Sequence, residues 1–160
     1  MRRPFFFVPL VLVGIAIDLF TKWAAFHGLE QDYRLWPGVL HFTPAQNTGG
    51  AFSLLTGHSA LILGTTLIIT SVLAWIYYRS WRSASALLLW AIGLVLVGAI
   101  GNLLDRLAYG YVRDFIDFVP RIPLVGHWAI FNVADICVCV GVGLYLISEL
   151  WLARRDAKAA

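Results

Sequence analysis

The chain has 160 residues, 60% apolar and 13% charged, with a formal net charge of +3. A soluble domain averages about 45–50% apolar and about 25% charged, so the composition excludes an ordinary soluble protein and predicts a single integral membrane domain over 1–160. The small positive charge excludes a nucleic-acid binder, since the basic residues stand in short clusters beside apolar runs, as membrane topology requires.

A membrane helix needs about 20 mainly apolar residues. Four segments qualify, 5–26, 59–78, 84–107 and 129–152. The first follows Met1-Arg2-Arg3 in the manner of a signal peptide. It is too long for the apolar part of one and carries Asp18 and Lys22, so it is read as a retained helix. Asp18 and Lys22 are one turn apart and are expected to pair, orienting the helix or lining a site; alternatively Lys22 snorkels to the surface.

The connection 27–58 is long for a mere link. Within it, "YRLWPGVLHF" places aromatic and β-branched residues around a Pro-Gly turn signal, which predicts a short hairpin or small sheet on the membrane surface. Trp36 and Phe42 suit an interfacial position. "NTGGAFS", residues 47–53, has adjacent glycines that permit close approach of another chain.

On the third helix, Gly98, Asn102 and Asp105 form one stripe, with Arg106 near the same face. Gly98 and Gly101 would let a neighbouring helix come close. The connection 108–128 contains Gly110, Pro120, Pro123 and Gly126 and cannot be one regular helix. Its "YVRDFIDFV" predicts a short strand or an interfacial turn. Asp114 and Asp117 share a face if that piece is helical and oppose each other if it is extended, so spacing leaves open which one faces a site. The fourth helix is expected to carry Asn132 and Asp135 inward, with Cys139 further along and Trp128 just outside. Cys137 and Cys139 are read as buried free thiols.

Orientation follows from Lys and Arg. Arg2, Arg3, Arg79, Arg82, Arg154, Arg155 and Lys158 fall on one side, and Arg34, Arg113 and Arg121 on the other. Both termini are therefore expected in the cytoplasm. That places Asp105, Asp114, Asp117 and Asp135 together at the outer surface. Two facing Asn-x-x-Asp units, "NLLD" and "NVAD", would make a polar cluster in apolar surroundings.

Carboxylates at a membrane edge are functional candidates. Two that share a site can hold one proton between them, which suits peptide hydrolysis: one takes a proton from water, the other donates to the scissile carbonyl. His27, His41, His58 and His127 are scattered and form no metal motif, and no Ser or Cys nucleophile stands beside a base. Two rivals remain. One is a proton-coupled transporter with Asp18, Lys22, Asp105 and Asp135 as relay. The other is a structural membrane subunit whose cluster, including an Asp105–Arg106 pair, only fastens helices.

Taken together, the pieces resemble the lipoprotein signal peptidase (signal peptidase II) family, bacterial membrane aspartic endopeptidases. The resemblance spans nearly the whole chain. It rests on Asp18 and Lys22, "NTGGAFS", "GNLLDR" at 101–106, "VRDFIDF" at 112–118 and "FNVAD" at 131–135. It implies a catalytic dyad of Asp114 and Asp135, selecting Asp114 over Asp117. It implies that Asn47, Asn102, Asp105 and Asn132 support the site and that Arg106 touches the substrate region. The implied substrate is a prolipoprotein carrying diacylglycerol on a cysteine, cleaved just before that cysteine, with no metal or organic cofactor. The implied setting is the bacterial cytoplasmic (inner) membrane, among lipids; four helices with one site are expected to work as a monomer. The segments 28–58 and 108–128 are expected to form two sides of a clamp over the substrate.

Overall fold

Among the described residues four helices are long and apolar enough to cross a membrane, and a small sheet lies at one end of them. The computed structural model describes residues 7–28, 32–49, 59–119 and 129–159. Gly50 to Ser53, His58, Pro120, Arg121, Pro123, Gly126, His127 and Trp128 lie outside the described residues. In chain order the elements are α1 (Phe7–Gly28), β1 (Tyr33–Trp36), β2 (Leu40–Asn47), α2 (Ser59–Ser80), α3 (Ala86–Tyr109), β3 (Val112–Phe118) and α4 (Val133–Ala159).

The helix α3 is the axis of the bundle and packs against α1, α2 and α4. Its sequence explains this. Ala91, Gly93, Gly98 and Gly101 are small and buried, so neighbouring backbones approach closely. A Cβ on Gly98 would collide with the Ala134 carbonyl oxygen, and one on Gly101 with the Asp18 carboxylate. Gly141 gives α4 the matching allowance, since a Cβ there would lie 2.7 Å from the Ala91 carbonyl oxygen. The outer faces carry Leu12, Phe20, Ile68, Trp75, Leu146 and Trp151, all exposed as lipid-facing residues must be.

The helix ends differ from the sequence expectation for local reasons. The helix α3 begins at Ala86 because Ser85 is its cap, its hydroxyl accepting the Leu88 N–H at 3.2 Å. It stops at Tyr109 because Gly110 takes the left-handed conformation, φ 79°, and donates to the Arg106 carbonyl. That reversal starts β3 immediately and runs it back across the helix end. The fourth helix departs at both ends, starting at Val133 rather than near 129 and running to Ala159 rather than 152. Phe131 is extended and bridged to Ile116 of β3, exchanging backbone hydrogen bonds of 2.8 and 3.0 Å. Asn132 is therefore the cap of α4, not a residue within it.

The sheet is antiparallel in the order β1-β2-β3. Pro37 and Gly38 form the β1–β2 turn. Gly38 has φ 74° and the Val39 N–H donates to the Trp36 carbonyl at 2.9 Å, a type II geometry that favours this dipeptide. "VRDFIDF" is a strand, so Asp114 and Asp117 face opposite ways. The described parts of the two long connections are hydrogen-bonded neighbours in one sheet. The thiols of Cys137 and Cys139 are free, but Cys137 is only partly buried and Cys139 is exposed.

Gly98→Ala should destabilise the bundle by about 1–3 kcal/mol through overpacking, whereas Gly64→Ala, with nothing within 4 Å of the added methyl, should not. Thermal unfolding in detergent checks this; equal midpoints for the two variants would contradict the close α3–α4 contact.

Candidate active site

The site is built outward from one cation. Lys22 is fully buried on α1, with its ammonium 2.8 Å from Asp18 Oδ2 and 3.6 Å from Asp105 Oδ2. The expected Asp18–Lys22 pair is present, and Lys22 points inward rather than snorkelling. An ammonium only donates. Its third neighbour, Asn102, must therefore face it with the amide oxygen, at 2.9 Å. The Asn102 NH₂ is thereby turned to Asp135, donating to Oδ1 at 2.8 Å.

The same logic continues into Asn132. Its NH₂ donates to Asn102 Oδ1 at 3.2 Å and to Asp114 Oδ1 at 2.6 Å. Its own Oδ1 accepts the Asp135 N–H, while its backbone N–H donates to Asp135 Oδ2, both at 3.1 Å. Asn132 and Asp135 thus form a reciprocal capping box at the start of α4. From β2, Asn47 donates to Asp114 Oδ2 at 2.9 Å, its own oxygen fixed by the Gly49 N–H. Each of Asp114 and Asp135 accepts a hydrogen bond on both oxygens, and Asn132 binds both.

Asp18 links this end of the bundle together. Besides Lys22 it accepts the Ala134 N–H at 2.8 Å, joining α1 to the N-terminus of α4, where anions are favoured. Asp105 is held by Arg113, not by its neighbour Arg106. The Arg113 Nη2 lies 2.7 Å from Asp105 Oδ1, and the Arg113 N–H donates to Oδ2 at 2.9 Å. Among the described residues Arg106 donates a long 3.4 Å bond to the Asn102 carbonyl. It forms part of the wall of a cavity of about 150 Å³ with Thr48, Ala60, Ile62, Leu63 and Gly110.

The structure therefore brings Asp18, Lys22, Asn47, Asn102, Asp105, Asn132, Asp114 and Asp135 into one network, with Arg106 at its edge. Asp117 is outside it, about 10 Å along β3 from Asp114 and opposite His41 in the register. Arg113 is the residue the sequence reading missed. The signal for it was the Gly110 reversal, which returns the chain over the end of α3 where Asp105 sits. Among the described residues no three His, Cys, Asp or Glu side chains converge as a metal site.

Burial is the main influence on Asp114 and pushes its pKa up to about 6; the Asn47 amide opposes this, the nearby Asp135 charge adds to it, and the Asn132 amide opposes it. A carboxyl with a pKa in this range exchanges its proton near neutrality, as general acid–base chemistry requires. Beside a second carboxylate on shared amides, it gives a pair able to hold one proton.

The chain is similar to known proteins over most of its length. The family model for signal peptidase (SPase) II matches residues 10–151. The lipoprotein signal peptidase of Symbiobacterium thermophilum is 38% identical over 155 residues, covering 95% of this chain and 98% of that protein. That of Actinobacillus succinogenes is 37% identical over 158 residues, covering 95% and 94%. A bacterial membrane enzyme solved by the in meso method at 1.9 Å superposes with a TM-score of 0.77 at 27% identity, covering 94% of this chain and 97% of that one.

Two outcomes follow from the network. Lys22→Met leaves Asp18 and Asp105 sharing a site without their ammonium and should cost about 3–5 kcal/mol of stability, read as a lowered thermal midpoint; an unchanged midpoint would show that the ammonium does not organise the site. A carboxyl with a raised folded pKa favours the folded state while it is protonated. Its contribution should fall as pH rises from the ordinary 3.8 to about 6 and level off above, by about 3 kcal/mol in total. Asp114→Asn should flatten that slope in the midpoint–pH curve; an unaltered slope would assign it to another group.

Proposed function

The chain belongs to the signal peptidase II family and is a peptidase acting on lipoprotein signal peptides, and on that premise we propose that Asp114 and Asp135 are its catalytic dyad. The proposed substrate is a prolipoprotein with a diacylglyceryl-modified cysteine, cleaved just before that cysteine. The observation that carries this reading is Asn132, whose backbone and side chain donate to both carboxylates at once. The family sets aside the transporter and structural-subunit readings.

Asp114, raised to about 6 by burial, is assigned the shared proton, and Asp135 the role of base. Water attacks the scissile carbonyl carbon while Asp135 takes its proton. Asp114 gives its proton to the carbonyl oxygen, forming a gem-diol. Asp135 then gives its proton to the amide nitrogen while a gem-diol hydroxyl returns a proton to Asp114, so that the C–N bond breaks, leaving a carboxylic acid and the free amine of the lipidated cysteine and restoring the pair. Asn47 and Asn102 hold the two carboxylates in place, so neither need reorganise during the reaction. Arg106, in the cavity wall, meets the substrate. The chemistry uses no resident metal or organic cofactor.

The protein is placed in the bacterial inner membrane as one monomeric domain, both termini cytoplasmic and the dyad at the outer face. The distribution of Lys and Arg supports that orientation. It lets the scissile bond of a lipid-anchored precursor reach the dyad while its acyl chains stay among lipids. The exposed Trp36 and Tyr33 on β1 suit the interface there.

Cleavage of a diacylglyceryl-modified prolipoprotein in detergent with EDTA present tests the reading. Asp114→Asn and Asp135→Asn should each lose at least about a thousandfold in kcat at matched folded amounts, and Asp117→Asn should retain cleavage. Full activity in either of the first two removes that residue from the dyad.

A further inference from the structure

We propose that Arg113 is a positioning residue for this reaction, setting the charge balance that keeps a single proton on Asp114 and Asp135. The proposal rests on the two-aspartate reading above. Arg113 is the residue directly before Asp114 on β3, yet it faces away from the dyad and is buried, with 7% of its side chain exposed. It grips Asp105 twice, through its backbone N–H and through its guanidinium, which also lies 4.5 Å from the Tyr109 ring centroid. Asp105 in turn is 3.6 Å from the Lys22 ammonium, and Lys22 holds Asn102, which holds Asp135. Arg113 thus reaches the dyad through three intervening side chains.

The charges of the enclosed set balance in one state only. Lys22 on α1, Arg106 on α3 and Arg113 on β3 are cationic; Asp18 on α1 and Asp105 on α3 are anionic. One positive charge is left over among these described residues. It is cancelled when Asp114 and Asp135 carry one negative charge between them, which is the singly protonated pair. A second proton leaves the set positive, and loss of the only proton leaves it negative; both are costly in a buried site. Other titratable side chains nearby are Tyr109, against Arg113, and Cys137 of α4. The strand β2 contributes the uncharged Asn47, and its His41 lies toward the far end of the sheet with Asp32 and Asp117.

Removing Arg113 makes the singly protonated state one charge too negative. The pair should then take up protons more readily, shifting its titration to higher pH. Removing Asp105 should do the opposite, and removing both should cancel.

The test compares pH profiles of kcat/KM for wild type, Arg113→Gln, Arg113→Lys, Asp105→Asn and the double variant Arg113→Gln/Asp105→Asn, at matched folded amounts. Arg113→Gln should move both limbs of the profile up by about one pH unit, Asp105→Asn should move them down, and the double variant and Arg113→Lys should return near wild type. If Arg113→Gln alone does not fold, Asp105→Asn and the charge-neutral double variant carry the same comparison. Limbs that stay fixed while activity falls, or a double variant that does not restore them, would reduce Arg113 to a structural role and overturn the proposal. A second readout needs no cleavage: the pH at which the thermal midpoint stops falling should rise in Arg113→Gln. Normal cleavage by Asp114→Asn or Asp135→Asn would defeat the two-aspartate reading itself, whereas an unmoved midpoint curve in Arg113→Gln defeats the charge coupling alone.

Discussion

A buried ammonium dictates the polarity of every hydrogen bond around it. Lys22 can only donate, so Asn102 must turn its oxygen inward and its NH₂ toward Asp135. Asn132 then has one choice as well, with its NH₂ shared between Asn102 and Asp114. A chain of amides thereby carries the direction set on α1 to carboxylates on β3 and α4. Without that cation Asn102 could flip and Asp135 would lose one fixed donor, whereas Asn47 and Asn132 are each also held by a backbone N–H.

The backbone supports this arrangement through close approach. Asp18 reaches the α4 N-terminus only because Gly101 leaves room beside it, and Gly98 lets the Ala134 backbone settle against α3. The Gly110 reversal and the Phe131–Ile116 bridge then bring β3 and the start of α4 to the same place. Burying so many charges is expensive, and such networks are often weaker than well-packed apolar contacts. Here the cost is offset by pairing: Lys22 with Asp18, Arg113 with Asp105. In the proposed dyad, burial is the main influence that raises Asp114 to about 6. A site of this kind trades stability for a carboxyl that titrates where the chemistry needs it.

Much of this was legible in the sequence. The four apolar runs marked the helices, the Pro-Gly signal marked the β1–β2 turn, and the i to i+4 spacing of Asp18 and Lys22 marked their pair. Asn102 and Asp105 fell on one stripe with Gly98. What remained hidden depended on tertiary placement. Local spacing suggested Arg106 as the partner of Asp105, but the chain reversal at Gly110 delivers Arg113 instead. Hydropathy carried the fourth helix back to 129, because an apolar Phe131 in a β-bridge looks like one in a helix. Spacing alone left Asp114 and Asp117 open; in the structure Asp114 accepts hydrogen bonds from Asn47 and Asn132, while Asp117 pairs in register with His41 further along the sheet.

The central claim is that Asp114 and Asp135 hold one proton between them, and counting that proton tests it most directly. Isotope-edited infrared spectroscopy of aspartate-labelled protein, at a pH midway between the ordinary 3.8 and about 6, reports protonated carboxyls by their C=O stretch. The account predicts one such carboxyl from the pair, lost in Asp114→Asn and altered in Asp135→Asn. A pair that shows two protonated carboxyls there, or none, would contradict it.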